Sequence, residues 1–258
     1  SALAGLLVGD RAALPRETDD ALRRAGAYHV LAVSGFNVAL LAASVFAVLT
    51  LVGVSRATTA VVAAVALVAF ALVVGAQSSV IRATVMGLIL LAGIVLERES
   101  QLPNALALSG LALLAWRPAD LWDPGFQLSF AATAGIVYLG TPARAALEWL
   151  GWPRALAAAV GVSAAAQGAV LPVMAAHFNQ LSLIGVLANL AVVPLAAVAT
   201  TLGMLALLLE LASGVLASLL FQTLWVALIM LRVVVSVAAA LPAAMVHLPA
   251  PSAATVVA

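Results

Sequence analysis

Long apolar stretches separated by short polar breaks organise this chain. Free of Asp, Glu and Arg are residues 25–55, 57–81, 124–143, 155–209, 211–231 and 233–258. A bilayer crossing takes about 20 mostly apolar residues, so the pattern predicts helical spans at 28–53, 57–76, 80–96, 102–116, 125–141, 155–176, 181–209 and 214–240, about eight passes. The breaks carry turn residues: Gly53 with Arg56, Glu97-Arg98-Glu99, Arg117-Pro118, Asp120 to Gly125, Thr141-Pro142 and Gly151-Trp152-Pro153. Trp116, Trp122, Trp149 and Trp152 fall at these boundaries, where the amphipathic indole favours the headgroup zone. The expected fold is all-α, a polytopic membrane bundle.

Two segments depart from simple spans. Residues 142–154 mix Arg144, Glu148 and Arg154 with Leu147, Trp149 and Leu150, the make-up of a short helix lying in the interface. Residues 181–209 are long for one pass and contain Asn189 and Pro194, which fits either a broken or re-entrant helix pair or one tilted, kinked helix. Ala-rich runs such as 157–169 suit close helix packing.

Composition sharpens this picture. Hydrophobic residues make up 66% of the 258 and charged residues 8%, with a mean hydropathy of +1.22, which leaves too little polar surface for a soluble domain. Eleven Arg nearly balance ten acidic residues, so net charge points to no partner. The absence of Cys excludes disulfides and thiol chemistry. Charges concentrate in residues 1–27, which read as a charged interfacial lead-in to a transmembrane domain over 28–258; Thr18 or Asp19 is placed to cap a helix over Asp20 to Ala25 that Gly26 ends. The sequence opens without Met and stops within an apolar run, and it reads as a piece of a longer protein with further domains expected outside it.

Polar groups within apolar helices are the informative positions, because burying them unpaired costs a few kcal/mol. Arg82 is the one charge in the stretch 78–93; it either snorkels to headgroups from a helix end or faces an anionic ligand such as phosphate. His29, Ser34, Gly35 and Asn37 open one apolar helix, with Ser34 and Asn37 three apart. Gln127, Ser129 and Thr133 enter the fifth span behind Pro124-Gly125, and Gln167, His177, Asn179 and Asn189 follow. Taken singly these residues suit helix-to-helix hydrogen bonds; as a set they suit a polar cavity. His29 lies five residues before Ser34, roughly 140° round a helix, which does not make a serine dyad, and three scattered His at 29, 177 and 247 have no metal-ligand spacing. No metal or other cofactor is expected.

In order along the chain, LLVGDRAALP at 6–15, GAYHVLAVSGFNVALLAA at 26–43, Ile81-Arg82-Ala83, PADLWDPGFQLSFAATAGI at 118–136, Gln167 with Leu171-Pro172, and ANLAVVPL at 188–195 resemble the competence domain of the ComEC family. The His-Val-Leu-Ala-Val-Ser-Gly and Gly-Phe-Gln-Leu-Ser-Phe blocks are its most specific motifs, and the resemblance covers nearly the whole chain. Family members commonly carry a second His where this chain has Asn37, which keeps a hydrogen-bonding group but no titratable charge.

The resemblance implies a multi-pass channel in the bacterial inner membrane that passes one strand of DNA into the cytoplasm during natural transformation. Its expected partners are single-stranded DNA, membrane lipids, a competence DNA receptor and a cytoplasmic translocation ATPase. It also implies an OB-like and a metallo-β-lactamase-like domain elsewhere in the protein; any nuclease activity belongs there, and this segment is expected not to be an enzyme. Candidate path-lining residues are Ser34, Gly35, Asn37, Arg82, Gln127, Ser129, Gln167 and Asn189, with His29, His177 and Asn179 secondary. A small-solute secondary transporter with a closed polar site at mid-membrane is the alternative reading.

Overall fold

Helix α2, Arg56–Val73, shows why this chain folds as it does. Ala60, Ala63, Leu67 and Ala71 form its buried stripe, and Val61, Val65, Leu72 and Val73 on the other side are exposed. A helix of a soluble protein turns charged or polar residues outward; this one is apolar all round, and its outer face suits lipid. The computed structural model describes residues 20–22, 24–27, 34–98, 102–181, 184–210, 213–241 and 246–247. Within it the helices are α1 Gly35–Leu51, α2, α3 Ser78–Val95, α4 Leu102–Trp116, α5 Pro124–Ala134, α6 Gly140–Trp149, α7 Arg154–Phe178, α8 Gly185–Glu210 and α9 Gly214–Ala240. A 3-10 turn covers Pro118–Trp122, and two short strands, β1 Gln180–Leu181 and β2 Val246–His247, pair antiparallel with Gln180 opposite His247.

Five of these helices, α2, α3, α7 and the apolar parts of α8 and α9, are long and apolar enough to cross a membrane, and α1 and α4 are shorter apolar helices. Together they make an all-α, multi-pass membrane bundle. Trp116, Trp122 and Trp149 are exposed at helix ends, where indole rings settle at the headgroup level. In the described part of the lead-in, residues 20–22 and 24 are helical and Gly26, with φ of +68°, follows as a terminating glycine.

The chain divides into two compact units. The first holds α1 to α4, α8 from Val193 onward and α9 as far as Leu231. At its centre Val38 of α1, the buried stripe of α2, and Val80 and Leu91 of α3 pack together. A Cβ added at Gly87 would stand 2.8 Å from Leu67 Cδ1, so glycine lets α3 close onto α2.

The second unit holds α5 to α7, the start of α8 and the end of α9. Here two expectations change. The fifth span and the interfacial helix over 142–154 are one helical run: α5 passes through a π-helical turn at Gly135–Leu139 directly into α6. The charged tail of that run, with Arg144 Nε 2.7 Å from Glu148 Oε1 one turn on, is therefore the wetted end of a long helix. The run lies against α7, whose buried small residues Ala157, Gly161 and Ala165 recur every four positions. Contact is backbone to backbone: a Cβ at Gly135 would fall 2.5 Å from the Ala165 carbonyl oxygen, and one at Gly161 2.8 Å from the Arg144 nitrogen.

Of the two alternatives for 181–209, α8 takes the second, one helix from Gly185 to Glu210 with Pro194 inside it. Proline within an apolar helix costs one backbone hydrogen bond and bends the axis.

Candidate functional site

The first unit carries polar groups at the N-terminal ends of two helices. Ser34 has extended backbone and precedes α1 as its N-cap; its side chain makes no capping bond, and its carbonyl accepts from the Asn37 N–H at 3.0 Å. A Cβ on Gly35 would lie 3.3 Å from Ala83 Cβ, tighter than ordinary packing, so α1 and α3 nearly touch beside Arg82. Asn37 is 3% exposed and Arg82 5%, and each has an interaction partner within the protein. Arg82 is the fifth residue of α3, about 6 Å along the helix. Its guanidinium is thus covered by protein and does not lie open at a helix end. A buried guanidinium keeps its charge, so its surroundings must supply acceptors.

The second unit is organised by a motif whose local logic is plain in the sequence Asp-Pro-Gly-Phe-Gln. Asp123 caps α5 by accepting from the Phe126 N–H at 2.8 Å, and Pro124 takes the first helical position, where no N–H is needed. The capped turn presents Gln127, and its Oε1 lies 2.9 Å from His177 Nε2 at the end of α7. An amide oxygen can only accept, so the imidazole donates. Ser129, half-buried, offers its carbonyl to the Thr133 hydroxyl at 2.9 Å. Further along α7, Gln167 abuts the first residue of α8: a Cβ on Gly185 would stand 3.1 Å from Gln167 Oε1. Asn179 ends α7 in the left-handed conformation, φ 52°, which Asn tolerates. The side-chain oxygens of Asn179 and Asn189 are buried without a hydrogen-bond partner, positions where water or a ligand donor is worth a full hydrogen bond.

Replacing Asp123 by alanine removes that cap and should lower stability by about 1 kcal/mol, whereas Asp123→Asn, which keeps the accepting oxygen, should be nearly neutral; thermal unfolding in detergent reads both.

Among the residues expected at the site, Ser34, Gly35, Asn37 and Arg82 belong to the first unit, and Gln127, Ser129, Gln167, His177, Asn179 and Asn189 to the second. The structure pairs Gln127 with His177 and sets Gln167 against α8. His29 lies outside the described residues. Sequence reasoning passed over Thr59, Thr84, Ser109 and Thr200, all buried, and Ser163. Ser109 bonds its own helix at the Leu106 carbonyl, as hydroxyls in apolar helices usually do. The hydroxyls of Thr59, Thr84 and Ser163 have no such partner, and nothing in their local sequence distinguishes them from Ser109.

Fold and site together define a multi-pass helical membrane protein with amide, hydroxyl and guanidinium groups enclosed in apolar helices. The chain belongs to the competence protein family, whose sequence pattern matches residues 6–258. It is similar to ComE operon protein 3 of Bacillus subtilis (strain 168), with 32% identity over 189 residues, 73% of this chain and 24% of that protein. The chain therefore spans about a quarter of that relative's length. No solved structure matches it.

Proposed function

We propose that this segment forms the membrane conduit through which single-stranded DNA enters the cytoplasm during natural transformation, in the bacterial inner membrane. The observation that carries the reading is family membership across residues 6–258 of a chain whose apolar helices bury Asn37 and Arg82 and pair Gln127 with His177 at a helix end. A strand that must both enter and leave is best served by sparse contacts, amides and hydroxyls with an isolated cation, which hold phosphates and bases weakly at several places. Ser34, Gly35, Asn37, Arg82, Gln127, Ser129, Gln167 and Asn189 are the path-lining residues of this proposal.

In this reading the segment does no bond-breaking chemistry. Degradation of the other strand falls to a metallo-β-lactamase-like domain, capture to a DNA receptor and an OB-like domain, and pulling to a cytoplasmic ATPase. The test is transformation of cells whose full-length protein carries Asn37→Ala, with membrane abundance measured alongside. Loss of one buried amide contact should lower uptake about tenfold at unchanged abundance, and Asn37→His should restore most of it, since imidazole also donates and accepts. Wild-type uptake from Asn37→Ala would remove this residue from the path, and transformation that persists without the whole protein would overturn the proposal.

A further inference from the structure

The tip of α7 sets two aromatic rings side by side. His177 and Phe178 have ring centroids 6.5 Å apart at an interplanar angle of 61°, and both are exposed, Phe178 by 47%. The Gln127 amide holds the imidazole through Nε2 at 2.9 Å, a bond along the ring edge that leaves the ring exposed. Asn179 then turns the chain in the left-handed conformation, so the rings stay at the rim of the helix. With 25 residues α7 is about 37 Å long, more than the roughly 30 Å hydrocarbon core, which brings one of its ends to the membrane boundary.

The charge pattern around these rings decides what they can hold. Residues 155–209 contain no Arg, Lys, Asp or Glu, and neither do residues 124–143. On α5 itself the Asp123 carboxylate caps the turn before Gln127, and in the strand pair His247 stands opposite Gln180. A phosphate would find no Arg or Lys on these segments and would face the Asp123 carboxylate. Bases are uncharged, and any of the four presents a π-face to an aromatic ring.

We infer that His177 and Phe178 form a stacking step that holds the passing strand by its bases and not by its phosphates, with Gln127 as the positioning residue that fixes the imidazole. This rests on the DNA conduit proposed above. The step is tolerant of sequence, because stacking does not read hydrogen-bond patterns.

Uptake of labelled donor DNA in cells carrying the full-length protein tests it, each strand bearing in turn a run of abasic sites or a run of uncharged methylphosphonate linkages. In the wild type the abasic run should slow entry, and any slowing that the methylphosphonate run causes through Arg82 should be the same in His177→Ala. His177→Ala should reduce entry of unmodified DNA about tenfold and erase the difference between abasic and normal donors. His177→Phe keeps a stacking ring but loses the bond to Gln127 that fixes it, so it should retain part of the uptake, clearly more than His177→Ala. If His177→Ala and His177→Phe fall alike at normal abundance, the imidazole serves only as a helix-to-helix hydrogen bond, and the inference is overturned. Slowing by the methylphosphonate run alone, or wild-type entry in His177→Ala, overturns it as well. Each of those results leaves the conduit standing, whereas entry that continues in cells lacking the protein defeats the conduit itself.

Discussion

Gly135→Leu should remove most of the protein from the membrane fraction. A side chain at this position meets the Ala165 carbonyl oxygen and Ala169 Cβ, each 2.5 Å from where its own Cβ would stand. Neither obstacle is the flexible end of a side chain that could swing aside. The helical run through α5 and α6 would have to lift off α7 along the stripe of Ala157, Gly161 and Ala165. Overpacking a tight interior costs about 1–3 kcal/mol where side chains can rearrange; against backbone, the loss should reach or exceed the upper end of that range. Because association of membrane helices depends on close packing of small residues, little else can compensate. Gly168→Ala is the control: it lies on α7, against which Gly135 packs, but a Cβ there has nothing within 4 Å, and alanine is the better helix former by up to about 1 kcal/mol. Its abundance and detergent unfolding midpoint should equal or exceed those of the wild type. Equal abundance of Gly135→Leu and wild type would show that α5 and α7 do not meet as described.

Arg82→Ala should lower transformation by one to two orders of magnitude, following the roughly 1.5–3 kcal/mol that a hydrogen bond to a charged group contributes. Arg82 is 5% exposed near the start of α3, beside the near-contact of Gly35 with Ala83 and in the same unit as buried Asn37. Truncation leaves a cavity and strands whatever acceptors face the cation. Stability and function can be separated by Arg82→Lys, which retains a charge but not the planar fork of donors that grips phosphate in two places. On the conduit proposal, Arg82→Lys should be stable and only partly active. If both variants reach normal abundance and transform as wild type, Arg82 has no part in the path. Low abundance of Arg82→Ala with full activity per molecule would make it a packing residue.

Much of the architecture was legible beforehand. The apolar stretches became helices at nearly their expected places, and Gly26 follows the lead-in helix as its neighbours suggested. Errors occurred where one helix end resembles another. Thr141-Pro142 and the charges after it look like a break, yet the π turn carries the helix through to Trp149, since proline is tolerated in the first turn after a widened one and Arg144 with Glu148 supports the next. Pro194 lies inside α8 without ending it. At the site, individual polar residues stood out against the apolar background, but their partners did not: Gln127 and His177 are 50 positions apart, and no local pattern links them.

The sequence by itself determined the solvent, the element type and the family. Those depend on composition over a window of about 20 residues and on short motifs, both of which are local. Only the tertiary structure decided which face of each helix is covered, that Arg82 is enclosed, that Gln127 holds His177, and that α8 is a single helix. The physical reason lies in the bilayer. In water an amphipathic pattern tells which side of a helix turns inward; here Leu67 inside and Leu72 outside are the same residue on the same helix. Lipid accepts either face, so burial is settled by shape, where a glycine lets two backbones meet, and shape exists only once the helices have come together.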